Sequence, residues 1–148
     1  MPLCKALHNG KTHLAIALGI CACQKGVKVG FYTAAGLVNE LVEMESEKKL
    51  TRFHKQLQRY DLIIVDELGY IPFNRKSAEL LFNCFSSRYE RGSVIITTNL
   101  EFSEWNKVFG DEKMTAALLD RVTHNAHILL MNGESFRLKQ TMKKQQLS

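Results

Sequence analysis

Gly10-Lys11-Thr12-His13-Leu14-Ala15, then Leu62-Ile63-Ile64-Val65-Asp66-Glu67, then Val94-Ile95-Ile96-Thr97-Thr98-Asn99 are the stretches whose order decides the fold. The first sets a glycine, a lysine and a hydroxyl at the opening of a long apolar helix. In a phosphate loop, glycine lets backbone N–H groups converge on the anion and the helix amino end adds positive potential. The lysine reaches the β and γ phosphates, and the hydroxyl ligates magnesium. Gly-Lys-Thr alone is a common tripeptide, and the second stretch gives it meaning. Leu62 to Val65 is a continuous apolar run of the kind buried on both faces of a parallel sheet. Its acids arrive at its carboxyl end, where Asp66 is placed to hold magnesium with Thr12, and Glu67 to orient or deprotonate an attacking water. The polar Asn99 ends the next apolar strand.

Outward from these stretches, strand-like and helix-like segments alternate from end to end, the pattern of an α/β domain with a parallel sheet. Thr12 to Gln24 is apolar on nearly every side, which predicts a helix buried under other elements and ended by Gly26. Val27 to Tyr32 reads as a strand, Thr33 as a cap, and Leu37, Val38, Leu41 and Val42 as the stripe of the next helix. Glu47 to Tyr60 carries Lys48, Lys49, Arg52, Lys55 and Arg59 against Leu50, Phe53 and Leu57, an amphipathic helix. After the turn Gly69-Tyr70-Ile71-Pro72, a stripe of Ala78, Leu81, Phe82, Phe85 and Tyr89 predicts a helix stopping near Gly92. A loop with Phe102 and Trp105 leads to a helix from about Glu112 to Thr123. Ile128 to Met131 and Ser135 to Leu138, parted by Asn132-Gly133, predict two strands about a tight turn.

The chain has 148 residues, 45% of them hydrophobic and 24% charged. That is the size and composition of one globular core, 1–148, with a basic tail over 139–148. No apolar run is long enough to span a membrane, and no signal segment opens the chain, so a cytoplasmic protein is expected. Cys4, Cys21, Cys23 and Cys84 lack zinc-ligand spacing and are expected as reduced, mostly buried thiols. His124 and His127 have no third ligand and read as structural or surface histidines. The net charge of +5 suits a protein that meets a polyanion such as DNA, through the Lys48 to Arg59 helix and the C-terminal lysines.

From Gly10 to Lys139 the chain resembles the IstB-like ATP-binding proteins, helper ATPases of bacterial insertion sequences related to the DnaC helicase loaders within the AAA+ class. The residues that carry the resemblance are Gly10 to Ala15, Asp66-Glu67-Leu68-Gly69-Tyr70-Ile71-Pro72, Ser87 to Asn99, and Leu119-Asp120-Arg121. It implies a P-loop NTPase fold of AAA+ type, a parallel sheet with helices on both faces. It also implies ATP and magnesium as cofactors, with Gly10, Lys11, Thr12 and Asp66 binding them and Glu67 catalytic. Asn99 would be the sensor near the γ-phosphate, Arg121 an arginine finger offered to a neighbouring subunit, and Arg137 the second sensor arginine. Target DNA, the transposase of the same element and further copies of the chain are the partners implied.

Two departures stand against that pattern. The family's loop reads Gly-Pro-Pro-Gly-Thr-Gly-Lys-Thr, whereas this chain has Lys5-Ala6-Leu7-His8-Asn9-Gly10-Lys11-Thr12. Side chains at Lys5, Leu7 and His8 then occupy space where backbone wraps the β-phosphate, which weakens nucleotide affinity and with it hydrolysis. The chain is also expected to be truncated at its N-terminus, with the first core strand missing or rudimentary, because Leu3 to Lys5 is short for it. A helicase-loader-like replication protein and a non-catalytic remnant of a mobile element stay open beside the transposition reading.

Overall fold

The computed structural model describes residues 2–5 and 10–131. In chain order the elements are β1 (Pro2–Lys5), α1 (Lys11–Gln24), β2 (Val29–Thr33), α2 (Ala34–Ser46), α3 (Leu50–Leu57), β3 (Leu62–Leu68) and α4 (Arg75–Arg88). There follow β4 (Ser93–Thr98), a 3₁₀ turn (Phe102–Glu104), α5 (Trp105–Phe109), α6 (Glu112–Thr123) and β5 (His127–Leu130). Thr33, Asn74 and Asp111 start α2, α4 and α6 by accepting a hydrogen bond from a first-turn N–H.

The strands form one sheet in the order β2-β3-β4-β1-β5, and every pairing is parallel. The first core strand is thus present in rudimentary form. Leu3 stands opposite Ile96 of β4 on one side and Ile128 of β5 on the other, so this short strand closes the middle of the sheet.

Alternation along β3 and β4 divides the core. Ile63, Val65, Val94 and Ile96 face α2, α4 and α6, in one cluster with Leu41, Leu81 and Leu118. Leu62, Ile64 and Ile95 face α1, where Ala15 meets them. The uninterrupted apolar runs of these two strands are explained by burial on both faces.

The burial expected for α1 is corrected. Only its small-residue face packs: a Cβ on Gly19 would lie 2.8 Å from Ile64 Cδ1, so the helix lies close on β3 along Ala15 and Gly19. Ile16 and Ile20 on its other sides are 40% and 54% exposed. The thiol expectation is corrected with it. Cys21 and Cys23 on α1 are exposed, Cys84 alone of the three is buried, and all three are free. The basic helix is shorter than 47–60, because Lys48 takes a left-handed φ of 57° that breaks α2 from α3. Among the described residues no helix is long and apolar enough to cross a membrane. The expected strand Ser135 to Leu138 and the basic tail lie outside the described residues.

Arg88, at the end of α4, ties the sheet's amino edge together. It is buried, and its guanidinium donates to the carbonyls of Leu57 (2.9 Å), Tyr60 (2.9 Å) and Ser93 (3.3 Å). Gly92 makes room for it, since a Cβ there would sit 2.3 Å from Nη2. Arg88→Ala is expected to lower the unfolding free energy by about 3 kcal/mol in a urea titration, the scale of stranding buried carbonyls. A loss under about 1 kcal/mol would show that those carbonyls find other partners and that Arg88 is no tie.

Candidate functional site

The first turn of α1 and the carboxyl ends of β3 and β4 meet at one edge of the sheet. Gly10 adopts φ 76°, a left-handed conformation natural to glycine, and begins α1 without a side-chain cap. Helix geometry leaves the first-turn N–H groups without intrahelical acceptors. Lys11 is buried, and its Nζ donates to the carbonyl of Thr98 at 2.9 Å. Thr12 follows with its hydroxyl 3.0 Å from both carboxylate oxygens of Asp66.

Asp66 is 3% exposed, a carboxylate that burial would penalise heavily without hydrogen bonds. Besides Thr12, the hydroxyl of Thr97 donates to its Oδ1. The same Thr97 oxygen accepts the backbone N–H of Glu67 at 2.9 Å. One β4 hydroxyl therefore orients the aspartate and fixes the backbone of the glutamate. Thr98 extends the seam, its hydroxyl donating to the Leu68 carbonyl at 2.7 Å.

Between Val65 and Leu68 the pairing of β3 with β4 shifts register, and Glu67 has φ 61°. Bulges of this kind re-aim side chains and favour the neighbourhood of active sites. Here Asp66 stays buried while Glu67 is exposed. A left-handed backbone at a residue with a Cβ costs about 1–2 kcal/mol, so the outward aim of Glu67 is held against local preference.

The sequence-derived site residues divide by place. Gly10, Lys11, Thr12, Asp66 and Glu67 share this edge. Asn99 directly follows β4, half-buried and without a side-chain hydrogen bond among the described residues. Arg121 is elsewhere: near the end of α6 its guanidinium lies 5.1 Å from the Phe82 ring centre, and Nη1 donates to the Ala117 carbonyl at 3.4 Å. Arg137 and residues 6–9 of the loop lie outside the described residues. His124 packs its ring against Tyr89 at 5.9 Å. Thr97 and Thr98 were missed, because threonine suits a strand and nothing in the run marks their hydroxyls as buried. The one available signal was a pair of polar residues ending an otherwise aliphatic strand beside the Asp-Glu strand.

The donor set suits magnesium. Thr12 and Asp66 offer hard oxygen ligands, and among the described residues no group of three or more His, Cys, Asp or Glu could hold a metal. An ion here would take few protein ligands and fill its shell from phosphates and water, the usual coordination of magnesium.

Comparison with known proteins gives the family and the fold. The sequence model of the IstB-like ATP binding protein family matches residues 4–144. The insertion sequence IS21 ATP-binding protein of Pseudomonas aeruginosa is 42% identical over 134 residues, covering 90% of this chain and 51% of that protein. The IS232 ATP-binding protein of Bacillus thuringiensis subsp. berliner is 39% identical over 136 residues, covering 92% and 54%. The chain thus spans about half the length of the curated relatives it matches. In fold it is similar to the DnaC helicase loader, with TM-score 0.73 at 23% identity over 89% of this chain and 77% of that one. It is equally similar to the replication initiator DnaA bound to AMPPCP and single-stranded DNA, with TM-score 0.73 at 17% identity over 98% and 44%. These structural likenesses show an AAA+ P-loop fold.

The strain at Glu67 yields a direct test. Glu67→Gly is expected to stabilise the fold by about 0.5–1 kcal/mol, the left-handed cost relieved less the entropy of an added glycine. Chemical unfolding measures it, and a clear loss of stability would show that the bulge carries no strain.

Proposed function

The chain belongs to the IstB-like ATP-binding proteins, and on that premise we propose that it binds ATP with magnesium at the carboxyl edge of its sheet. In this reading it serves in the cytoplasm as the accessory ATPase of a DNA transposition machinery. The observation that carries the reading is the Thr12–Asp66–Thr97 network, with Lys11 beside it and Glu67 turned outward. Lys11 would shift its ammonium from the Thr98 carbonyl to the phosphates. Gly10 and the first-turn N–H groups of α1 would hold the phosphate oxygens. Thr12 and Asp66 would hold magnesium, which neutralises phosphate charge when bound.

Glu67 would orient the attacking water and accept its proton, and Asn99 would polarise that water from the end of β4. Within its own chain Arg121 contacts Phe82 and Ala117 rather than this cluster, which suits an arginine finger offered across an interface between copies of the chain. Arg137 would be the second sensor of the same nucleotide. Target DNA and a transposase are the partners in this reading, and the relatives' insertion-sequence names favour it over helicase loading. The loop Lys5 to Asn9 departs from the family pattern. It favours nucleotide binding weaker and turnover slower than a complete phosphate loop gives.

Two substitutions separate binding from chemistry. Lys11→Ala is expected to abolish magnesium-ATP binding in a calorimetric titration. Glu67→Gln should retain binding and stop phosphate release, because the lysine acts on ground-state phosphates and the glutamate on the water. Equal hydrolysis by Glu67→Gln and the parent would remove Glu67 from this role.

Mixing tests Arg121. Lys11→Ala and Arg121→Ala subunits, each inactive, should regain hydrolysis together, since some interfaces then pair an intact pocket with an intact finger. Silence of every mixture while the subunits demonstrably exchange would return Arg121 to its contacts with Phe82 and the helix end.

A further inference from the structure

A groove of about 770 Å³ lies at the other end of the sheet, at the β2 edge. Its walls come from the end of α1, the loop before β2 and the start of β2, from α3 and from the turn after α3. They carry Lys28, Arg52, Lys55 and Arg59, and no acidic residue lines it. Arg52 and Lys55 stand three apart on α3, away from the buried Phe53 and Leu57, and Arg59 follows in the turn after the helix. Lys28 joins them from a separate element. All four are exposed, and among the described residues none of their side chains is paired with an acid.

A convex, solvated helix face would not need Lys28 to converge on it, and four unpaired cations around one concavity repel one another. Such clustering costs stability in the free protein, and an anion that fills the groove recovers it. The groove is set apart from the nucleotide edge. It borders Val29 and Tyr60 at the start of β2 and β3, whereas Thr33 and Asp66 end the same pairing, about 13 Å further along the strands.

We propose that this groove seats the phosphate backbone of duplex DNA. This rests on the reading of the chain as a DNA-directed protein and refines the basic helix expected from the sequence into a concave site that Lys28 completes from a separate element. The occupant follows from what the groove has and lacks. Its point charges match a ladder of phosphates, but it offers no stacking platform for unpaired bases. Its one aromatic, Tyr60, has its ring packed over Gly30, where an added Cβ would lie 3.1 Å from the ring. Single-strand binders that ignore sequence depend on free aromatic faces. Contact here is therefore with the backbone and independent of sequence.

The experiment is fluorescence anisotropy of a labelled DNA duplex with the whole chain over 50–200 mM salt, beside a calorimetric magnesium-ATP titration of the same proteins. The combined variant Arg52→Ala, Lys55→Ala, Arg59→Ala should bind the duplex more weakly at 50 mM salt and lose about 3 from the salt slope, so that its affinity falls about 40-fold less than the parent's across that range on the counterion-release relation. Arg52→Lys with Arg59→Lys should keep parent affinity, since point charges suffice. The triple variant's thermal midpoint should not fall, and its ATP titration should match the parent's. Equal duplex affinity and slope in the triple variant, no duplex binding by the folded parent, or tighter binding of a single strand of the same length would each overturn the proposal. Failure of the ATP titration alone would strike the nucleotide reading and leave the groove standing.

Discussion

A carboxylate buried where a helix and two strands meet must be met by hydroxyls or by a cation, and Asp66 imposes that demand on everything around it. Thr12 answers from the first turn of α1, which fixes the helix end at the sheet's carboxyl edge. Thr97 answers from β4 and, through the same oxygen, holds the Glu67 amide. The placement of Lys11 one residue before Thr12 follows, because its ammonium can then reach the carbonyl of Thr98, one residue past Thr97. Three adjacent pairs of residues, Lys11-Thr12, Asp66-Glu67 and Thr97-Thr98, thus link into one corner suited to an anion and a cation.

The neighbouring glutamate shows how the fold separates two acids of adjacent sequence. A regular strand would turn Asp66 and Glu67 to opposite faces of the sheet, both of which are covered by helices in this architecture. The register shift and the left-handed backbone at Glu67 instead bring its side chain out at the edge. The two acids acquire different surroundings, one desolvated and hydrogen-bonded, the other open to water. That division suits a metal-holding group beside a water-directing one. At the opposite edge Arg88 serves structure alone: it collects carbonyls from the end of α3 and the starts of β3 and β4, and so sets where those strands begin.

Much of this could be read from residue order. The aliphatic runs Leu62–Val65 and Val94–Ile96 announced strands buried on both faces, and Thr33 and the apolar stripe after it announced α2. Gly10-Lys11-Thr12 and Asp66-Glu67 named the corner because their chemistry depends on residue type. What escaped depended on long-range packing. The apolar circumference of α1 promised burial all round, yet only its Ala15 and Gly19 side meets the sheet. Thr97 read as a strand residue, and nothing in Ser87-Arg88-Tyr89-Glu90-Arg91 singled out Arg88 as buried. The bulge at Glu67 had no signature, since glutamate has no preference for positive φ. The first strand was expected missing or rudimentary. Its four residues sit between β4 and β5, because parallel neighbours on both sides satisfy even a short segment.

The central claim is that Asp66 and Thr12 form a metal position that works only together with nucleotide phosphates. Electron paramagnetic resonance with manganese in place of magnesium tests it most directly, by following free manganese as ATP is added to the whole chain. The account predicts ATP-dependent uptake of manganese by the parent, beyond that of ATP alone, and its loss in Asp66→Asn and in Thr12→Val. Undiminished ATP-dependent uptake by folded Asp66→Asn would contradict it.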